Sequence, residues 1–353
     1  MRARISGLGQ WLPEEIRENS AWPPEFVERA RTSDQRELVD IEGSFACEAD
    51  RIAARYFRSE AADPFLGSKR RRVAPASMTA PEAEVFAARA ALSDARVEAS
   101  EIDAVFSWAA VPERIVPPSA PHVAHAVGAS AAYAVGMDAA CATPIAQLEA
   151  AAALIESGRA RHVLLTQSHL ITRTFAWLHP ASPNVGDAAT AIVVSAAERG
   201  APIVTFARTH GEYYKAVTWC RGKQADPPWW EAGPAYYLGS HNREQAQELI
   251  ERTVQVAAET IQELLRRAGT PIDDIDVISS VQPRRWIPEA IREALAARAA
   301  APQTFDELAH LGGCGIITNL IRARDEKLLG PGKKAVLYAQ GAGFTRAAAL
   351  VCW

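Results

Sequence analysis

A helix that leads into a buried strand occurs in both halves of the 353-residue sequence. In each half a short polar loop with an Ile-Asp pair, Ile102-Asp103 or Ile275-Asp276, joins the helix to an apolar strand. Strands that alternate with long helices are typical of α/β proteins, in which helices cover buried sheets. The recurrence predicts an α/β fold of two related halves, residues 1–200 and 201–353.

Apolar runs and helical periodicity place the individual elements. In the first half they predict strands at 5–8, 102–108, 162–166 and 189–195. They also predict a helix at 79–95, with Thr79 as N-cap, and a turn followed by a helix at 138–158. In the second half they predict a long helix at 244–268, helices at 287–299 and 316–326, and strands at 276–280, 334–338 and 347–351. Residues 20–66 are irregular and helical in places.

The segment from Gly211 to Asn242 has no clear periodicity. It is rich in aromatic residues, namely Trp219, Trp229, Trp230, Tyr236 and Tyr237. Long aperiodic loops in compact proteins are usually functional or disordered, and aromatic residues favour order. Two interpretations stand side by side, a wall of a substrate tunnel and a plain packing flap.

Composition and charge exclude several classes of function. The net charge of −4 gives no reason to expect nucleic acid or an anionic membrane as the main partner. The basic run at 69–72 is interpreted as a solvated loop, or as a contact for a phosphate or an acidic protein. Five widely spaced cysteines without a C-x-x-C motif argue against a disulfide framework and a zinc site. Without a signal sequence or membrane-spanning run, a cytoplasmic location is predicted.

Cys141 lies in the stretch DAACATPIAQLEAAAALIESG, which begins at Asp138. A helix N-terminus offers free backbone N–H groups and a partial positive charge, which lower a thiol's pKa and stabilise an oxyanion. An apolar stripe behind the cysteine, Ile145, Leu148, Ala152 and Ile155, anchors the helix. The alternative is that Cys141 is a small buried hydrophobic residue.

Five segments, in order along the chain, carry a resemblance to a known family. They are the opening RISGLGQWLPEE, Arg71-Arg72 with the later Ile102-Asp103 pair, the cysteine segment, Asn184-Val185-Gly186-Asp187-Ala188-Ala189-Thr190-Ala191, and Gln340-Gly341-Ala342-Gly343-Phe344-Thr345. Together they resemble the β-ketoacyl-ACP synthase III group of the thiolase superfamily. The resemblance implies a five-layered αβαβα fold of two halves and a homodimer. It also implies an acyl group taken from coenzyme A or an acyl carrier protein (ACP), without a tightly bound cofactor or metal.

By this resemblance Cys141 is the nucleophile that accepts the acyl group. The oxyanion donors are then the amide of Cys141 and that of Ala342, in the loop with Gly341 and Gly343. Gln282 and Arg284, together with the two glycines of the loop, are predicted to contact the substrate.

The sequence departs from the family at two motifs. Where the family has His-Gln-Ala-Asn after a strand, this chain has Val281-Gln282-Pro283-Arg284. Where the family has Gly-Asn-Thr-Ser-Ala-Ala-Ser, the match is residues 309–315, which puts His310 in place of the asparagine. His310 is therefore predicted as general base, or else as a residue that satisfies a helix N-terminus. His122, His125, His169 and His179 remain other candidates for the missing histidine, each with a structural alternative.

One cysteine and one histidine suffice for acyl transfer, whereas decarboxylation of a malonyl group needs two donors to the enolate. The sequence therefore predicts an acyltransferase of secondary metabolism that passes the acyl group from Cys141 to an oxygen or nitrogen nucleophile. A carbon–carbon bond-forming (Claisen-type) 3-oxoacyl synthase is the first alternative. A non-catalytic partner subunit of a ketosynthase is the second, and the retained Cys141 argues against it.

Overall fold

The computed structural model describes residues 1–32, 45–61, 63–221, 230–233 and 236–353. The strands are β1 (Arg2–Trp11), β2 (Glu15–Glu18), β3 (Arg70–Val73), β4 (Ala104–Ala109), β5 (Tyr133–Gly136), β6 (His162–Leu170), β7 (Asp187–Ala197), β8 (Val204–Thr209), β9 (Thr218–Cys220), β10 (Tyr237–Gly239), β11 (Val277–Ser280), β12 (Lys334–Gly341) and β13 (Thr345–Cys352). The helices are α1 (Pro24–Thr32), α2 (Glu48–Glu60), α3 (Ala80–Ala95), α4 (Ala120–Val127), α5 (Thr143–Glu156), α6 (Arg243–Glu251), α7 (Thr253–Ala268), α8 (Ile287–Ala294), α9 (Phe305–Leu308) and α10 (Cys314–Asp325).

Two main sheets have the same internal plan. The first has the strand order β1-β7-β6-β4-β5, and the second has the order β8-β13-β12-β11. In both, the first two strand pairs are antiparallel, and the third pair, β6 with β4 or β12 with β11, is parallel. The predicted boundary between the halves falls in the connection from β7 to β8.

Helices separate and cover the sheets in five layers. Helices α5 and α10 lie between the two sheets, in one buried cluster with strands of both. Helices α3 and α4 cover the outer face of the first sheet, and α2, α7 and α8 cover that of the second. The predicted αβαβα arrangement is confirmed.

Close packing of α3 on β1 follows from small residues on both elements. A Cβ at Gly7 would lie 2.4 Å from the carbonyl oxygen of Ala91, and one at Gly9 would lie 2.2 Å from that of Ala87. Only glycine therefore permits this approach. The helix begins as predicted, because Thr79 forms a capping box with Glu82.

Four sequence predictions need correction. The helix predicted at 244–268 is two helices, α6 and α7, separated at Arg252. The helix predicted at 287–299 ends at Ala294. The segment from Gly211 to Asn242 contains the β9–β10 pair, although Trp229 lies outside the described residues.

The fourth correction concerns the basic run, which is not a solvated loop. Arg70 to Val73 form β3, and alternation along the strand turns Arg71 inward, where it is 1% exposed. Its guanidinium stacks on Trp22, 4.6 Å from the ring centroid, and donates to Asn19 Oδ1 and Ser68 Oγ. No carboxylate of the described residues is bonded to it, and burial lowers the pKa of Arg71 to about 10.

Candidate active site

Cys141 sits in a tight turn directly before α5. Ala140 to Ala142 form a 3-10 turn, and the α-helix begins at Thr143, so the cysteine lies just outside the first α-helical turn. Asp138 Oδ1 fixes this turn by accepting hydrogen bonds from Trp108 Nε1 at 2.9 Å and from the amide of Ala140 at 2.7 Å. The turn that carries Cys141 is thereby held against the end of β4.

The helix behind the cysteine is anchored as the sequence predicts. Ile145, Leu148, Ala152 and Ile155 are all buried between the two sheets. This core contact explains how α5 holds its N-terminal turn in place.

The turn between β12 and β13 lies against the cysteine turn. A Cβ at Gly341 would lie 2.2 Å from the carbonyl oxygen of Ala139, so only glycine fits there. Ala342 follows at once and is exposed, and Gly343 has a φ of +109°. The two predicted oxyanion donors, Cys141 and Ala342, are therefore in neighbouring turns.

The aromatic segment after Gly211 reaches this turn. The Tyr213 ring packs edge to face on Phe344, with 6.0 Å between centroids.

His310 belongs to a connection between the two halves. Its amide donates to the carbonyl of Asn184 at 3.0 Å, and its carbonyl accepts from the amide of Gly186 at 3.0 Å. Its ring Nδ1 lies 2.8 Å from the carbonyl oxygen of Gln282. Because a carbonyl oxygen only accepts, Nδ1 carries the hydrogen and Nε2 carries the free lone pair.

Residues 311–313 continue from His310 to the cysteine. A Cβ at Gly313 would lie 3.0 Å from the carbonyl oxygen of Cys141 and 2.9 Å from Pro144. The backbone N–H of Gly313 also interacts with the Cys141 thiol. Gly313, three residues after His310, thus lies against the turn that carries Cys141.

The thiol is not a ready-made thiolate, contrary to the expectation from its helix N-terminus. Burial, with a smaller effect of the Asp138 carboxylate, raises the pKa of the Cys141 thiol to about 11, although the amides of Cys141 and Gly313 act in the opposite direction. Burial also lowers the pKa of His310 below its usual range. These two directions favour the neutral thiol and the neutral imidazole at neutral pH.

The substrate-contact candidates fall into different surroundings. Val281 and Gln282 are buried, and the Gln282 Oε1 accepts from Asn319 Nδ2 at 2.8 Å and from the amide of Thr304 at 3.1 Å. The Gln282 side chain is therefore tied to α10, while its carbonyl orients His310. Arg284 forms an ion pair with Glu60 at the end of α2.

Of the four other histidines that the sequence offered for the missing role, His169 is the one that the structure brings to His310. His169, at the carboxyl end of β6, is 2% exposed, and its ring centroid lies 5.6 Å from that of His310. Its position at the carboxyl end of a strand with a parallel neighbour was the available signal, because α/β sites assemble there. Of the other candidates, His122 and His125 are exposed on α4, and His179 lies against Phe175, with 5.1 Å between ring centroids.

In the described part of the chain, no cluster of three His, Cys, Asp or Glu side chains is arranged to hold a metal. No helix of the described segments has the length and apolar character required to cross a membrane.

Two family models match separate parts of the chain. The model described as 3-oxoacyl-[acyl-carrier-protein (ACP)] synthase III matches residues 135–211, and the model of its C terminal matches residues 265–353. The first match contains Cys141 and His169, and the second contains Gln282 and His310.

Relatives and solved structures resemble the chain over its full length. A β-ketoacyl-[acyl-carrier-protein] synthase III of Paracoccus denitrificans is 28% identical, with 100% of this chain and 99% of the relative covered. The structure of that enzyme from Thermus thermophilus superposes with a TM-score of 0.79 at 24% identity, covering 99% of each chain. The priming β-ketosynthase of the R1128 polyketide biosynthetic pathway gives 0.76 at 20% identity, covering 99% of this chain and 96% of that one. The chain is therefore similar to β-ketoacyl-ACP synthase III in sequence and in fold.

Proposed function

We propose that this protein is an acyltransferase of secondary metabolism, in which Cys141 accepts an acyl group from acyl-CoA or acyl-ACP and delivers it to an alcohol or amine. His310 acts as general base in both steps. The amides of Cys141 and Ala342 stabilise the oxyanion. Similarity to β-ketoacyl-ACP synthase III supports a thioester-dependent acyl transfer, and the geometry of the site supports the choice of acceptor.

The hydrogen bond from His310 Nδ1 to the Gln282 carbonyl carries the proposal. It leaves Nε2 unprotonated, which is the form that a general base requires. A histidine that stabilises an enolate instead presents an N–H to the developing charge. The tautomer therefore favours proton abstraction from a nucleophile over stabilisation of an enolate.

The position of the family's motif histidine supports the same choice. Val281 is buried and has no polar side-chain atom. The neighbouring Gln282 is held within the second half by two hydrogen bonds that its Oε1 accepts. Because decarboxylative condensation needs two donors to the enolate, the loss of a donor at Val281 argues against it.

The two half-reactions balance with one base. The Cys141 sulfur attacks the donor thioester carbonyl while its proton passes to His310 Nε2, and that proton leaves with the departing thiol. The acceptor O–H or N–H then gives its proton to Nε2 as the acceptor attacks the acyl-cysteine carbonyl. The cysteine sulfur leaves and recovers the proton.

A homodimer fits the exposed end of the first sheet. Strand β5 is the last strand of that sheet, and its Tyr133 is 67% exposed. Ile115 and Val116, in the loop after β4, are 63% and 80% exposed. A second copy that pairs with this edge would cover both features, and light scattering of the purified protein tests the expected dimer.

A chase experiment separates transfer from condensation. Enzyme acylated with a radiolabelled donor is freed of excess donor and divided between malonyl-ACP and a panel of alcohols and amines. We expect labelled ester or amide without labelled 3-oxoacyl product, and a rate reduced by about 10²-fold or more in His310→Gln. His162→Gln, which changes a distant histidine of β6, is the matched control.

Formation of labelled 3-oxoacyl-ACP would contradict the proposal and favour the Claisen-type alternative. A His310→Gln variant that transfers the label at the rate of the unmodified enzyme would contradict the assignment of the base.

A further inference from the structure

Two histidine rings meet edge to face beside the nucleophile. The rings of His169 and His310 lie 5.6 Å apart between centroids, at an interplanar angle of 77°. This spacing and angle are those of a T-shaped aromatic pair, in which one ring holds the other by direct contact.

Gly186 hydrogen-bonds both the ring of His169 and the backbone of His310. The carbonyl of Gly186 lies 3.0 Å from His169 Nδ1, and the amide of Gly186 donates to the carbonyl of His310 at 3.0 Å. A Cβ at Gly186 would lie 2.2 Å from the carbonyl oxygen of Leu308, so no larger residue fits. His169 is therefore fixed in the frame that fixes His310.

The other side of the His169 ring is closed by backbone. A Cβ at Gly312, which has a φ of +54°, would lie 2.5 Å from His169 Cδ2 and 2.9 Å from Nε2. Gly312 belongs to the turn that joins His310 to Gly313 and Cys141. The buried His169 ring thus contacts Gly186, which bonds the backbone of His310, and Gly312, which precedes the glycine that lies against Cys141.

His169 stays uncharged while His310 exchanges protons. Burial, with a smaller effect of His310, lowers the pKa of His169 to about 3. The titratable groups on adjoining elements include Cys141, Cys314, Asp187 and Glu84, whose Oε1 accepts from Ser168 Oγ beside His169 on β6. The Asp187 carboxylate is bonded to Thr172 and to the amide of Ala74. No carboxylate in the described part of the chain hydrogen-bonds either ring.

We propose that His169 is a positioning residue, whose buried ring packs edge to face against the His310 ring and keeps His310 Nε2 directed at the proton of Cys141 or of the acceptor. This inference rests on the proposed function, because it assigns His310 as the base. His169 itself touches neither substrate nor the reacting atoms.

Two substitutions separate the ring from its hydrogen bond. His169→Asn keeps an N–H donor for the Gly186 carbonyl but removes the aromatic ring. His169→Phe keeps an aromatic ring but removes the donor. His162→Asn is the matched control, since His162 lies on the same strand and contacts Ser195 instead. Protein labelled with ¹⁵N-histidine, with His310→Gln for assignment, reports the protonation of each ring nitrogen.

For the unmodified protein and for His169→Phe we expect His310 with a protonated Nδ1 and an unprotonated Nε2 at pH 7.5. In His169→Asn we expect a mixture of tautomers. The kcat for acyl transfer should fall roughly fivefold to tenfold in His169→Asn, with KM for the donor unchanged, and should recover mostly in His169→Phe.

Unchanged His310 nitrogen shifts and an unchanged kcat in His169→Asn would overturn the inference. So would a loss of the His310 tautomer in folded His169→Phe, which also serves as the test if His169→Asn does not fold. The nitrogen shifts need no donor. A failure of every donor to acylate Cys141 would therefore refute the proposed function, whereas the nitrogen shifts would still test the positioning role of His169.

Discussion

The pH dependence of Cys141 alkylation tests the electrostatics of the site. With a pKa of about 11, the thiolate fraction at pH 8 is about 0.001, against about 0.2 for a free cysteine of pKa about 8.5. The higher pKa makes the thiolate itself about tenfold more nucleophilic, so the net alkylation rate should be about 20-fold below that of a free cysteine.

The protein is alkylated with iodoacetamide, and peptide mass spectrometry then gives the rate for Cys141 separately from those of the other four cysteines. Between pH 7 and 9.5 the rate constant should rise about tenfold per pH unit, because the thiolate fraction does. An unstructured cysteine peptide is the reference, and circular dichroism confirms that the protein stays folded at each pH.

The same experiment on His310→Gln tests whether His310 affects the ionisation of the Cys141 thiol. Since His310 is neutral at these pH values, its removal should leave the slope of the alkylation profile unchanged. A rate that levels off by pH 8, or a slope that depends on His310, would refute the reasoning. Either result would mean that the site holds a thiolate–imidazolium pair.

Three further predictions concern the frame of the site. Arg71→Ala should lower the free energy of unfolding by about 2–4 kcal/mol, because it leaves buried acceptors unpaired. Substitution of the exposed Arg70 by alanine should change it by no more than about 0.5 kcal/mol. Urea titration measures both variants. Gly186→Ala should cost about 2–4 kcal/mol and should abolish acyl transfer, because its Cβ would overlap a carbonyl oxygen. Gly330→Ala, with open space around the new Cβ, should leave activity unchanged, and a comparable loss in both variants would refute the overlap argument. Burial raises the pKa of Glu84 to about 8, so the folded state holds more protons and stability falls as pH rises from about 4.5 to 8. Glu84→Gln should remove this dependence, gaining at least about 2 kcal/mol over the unmodified protein between pH 5 and pH 8 in urea titrations, and parallel pH profiles would contradict it.

The fold could be predicted from the sequence because its signals are local. Apolar periodicity located the helix behind Cys141, and the Thr79 cap fixed the start of α3. Helix 244–268 was predicted as continuous because its apolar spacing does not reveal the break at Arg252. Backbone geometry of that kind depends on packing against neighbouring elements, which spacing alone does not encode.

The site was predicted only in part, because several of its determinants are distant in sequence. Cys141 and His310 were identified by resemblance, and in the structure Gly313, three residues after His310, lies against the backbone of Cys141. The importance of His169 depends on a contact across 141 residues, and the orientation of His310 depends on a carbonyl of Gln282. The thiol pKa was expected to be lowered, because the local pattern shows the helix N-terminus and conceals the burial that outweighs it.

Intact-protein mass spectrometry with a panel of acyl-CoA and acyl-ACP donors tests the central claim most directly. We predict a donor-specific mass increase that is lost in Cys141→Ala and kept in Cys314→Ala, whose cysteine begins the equivalent helix α10 in the second half. Peptide mapping should place the acyl group on Cys141. The absence of an adduct with every donor, or an adduct that survives in Cys141→Ala, would contradict the account and favour a non-catalytic partner subunit or a different nucleophile, respectively.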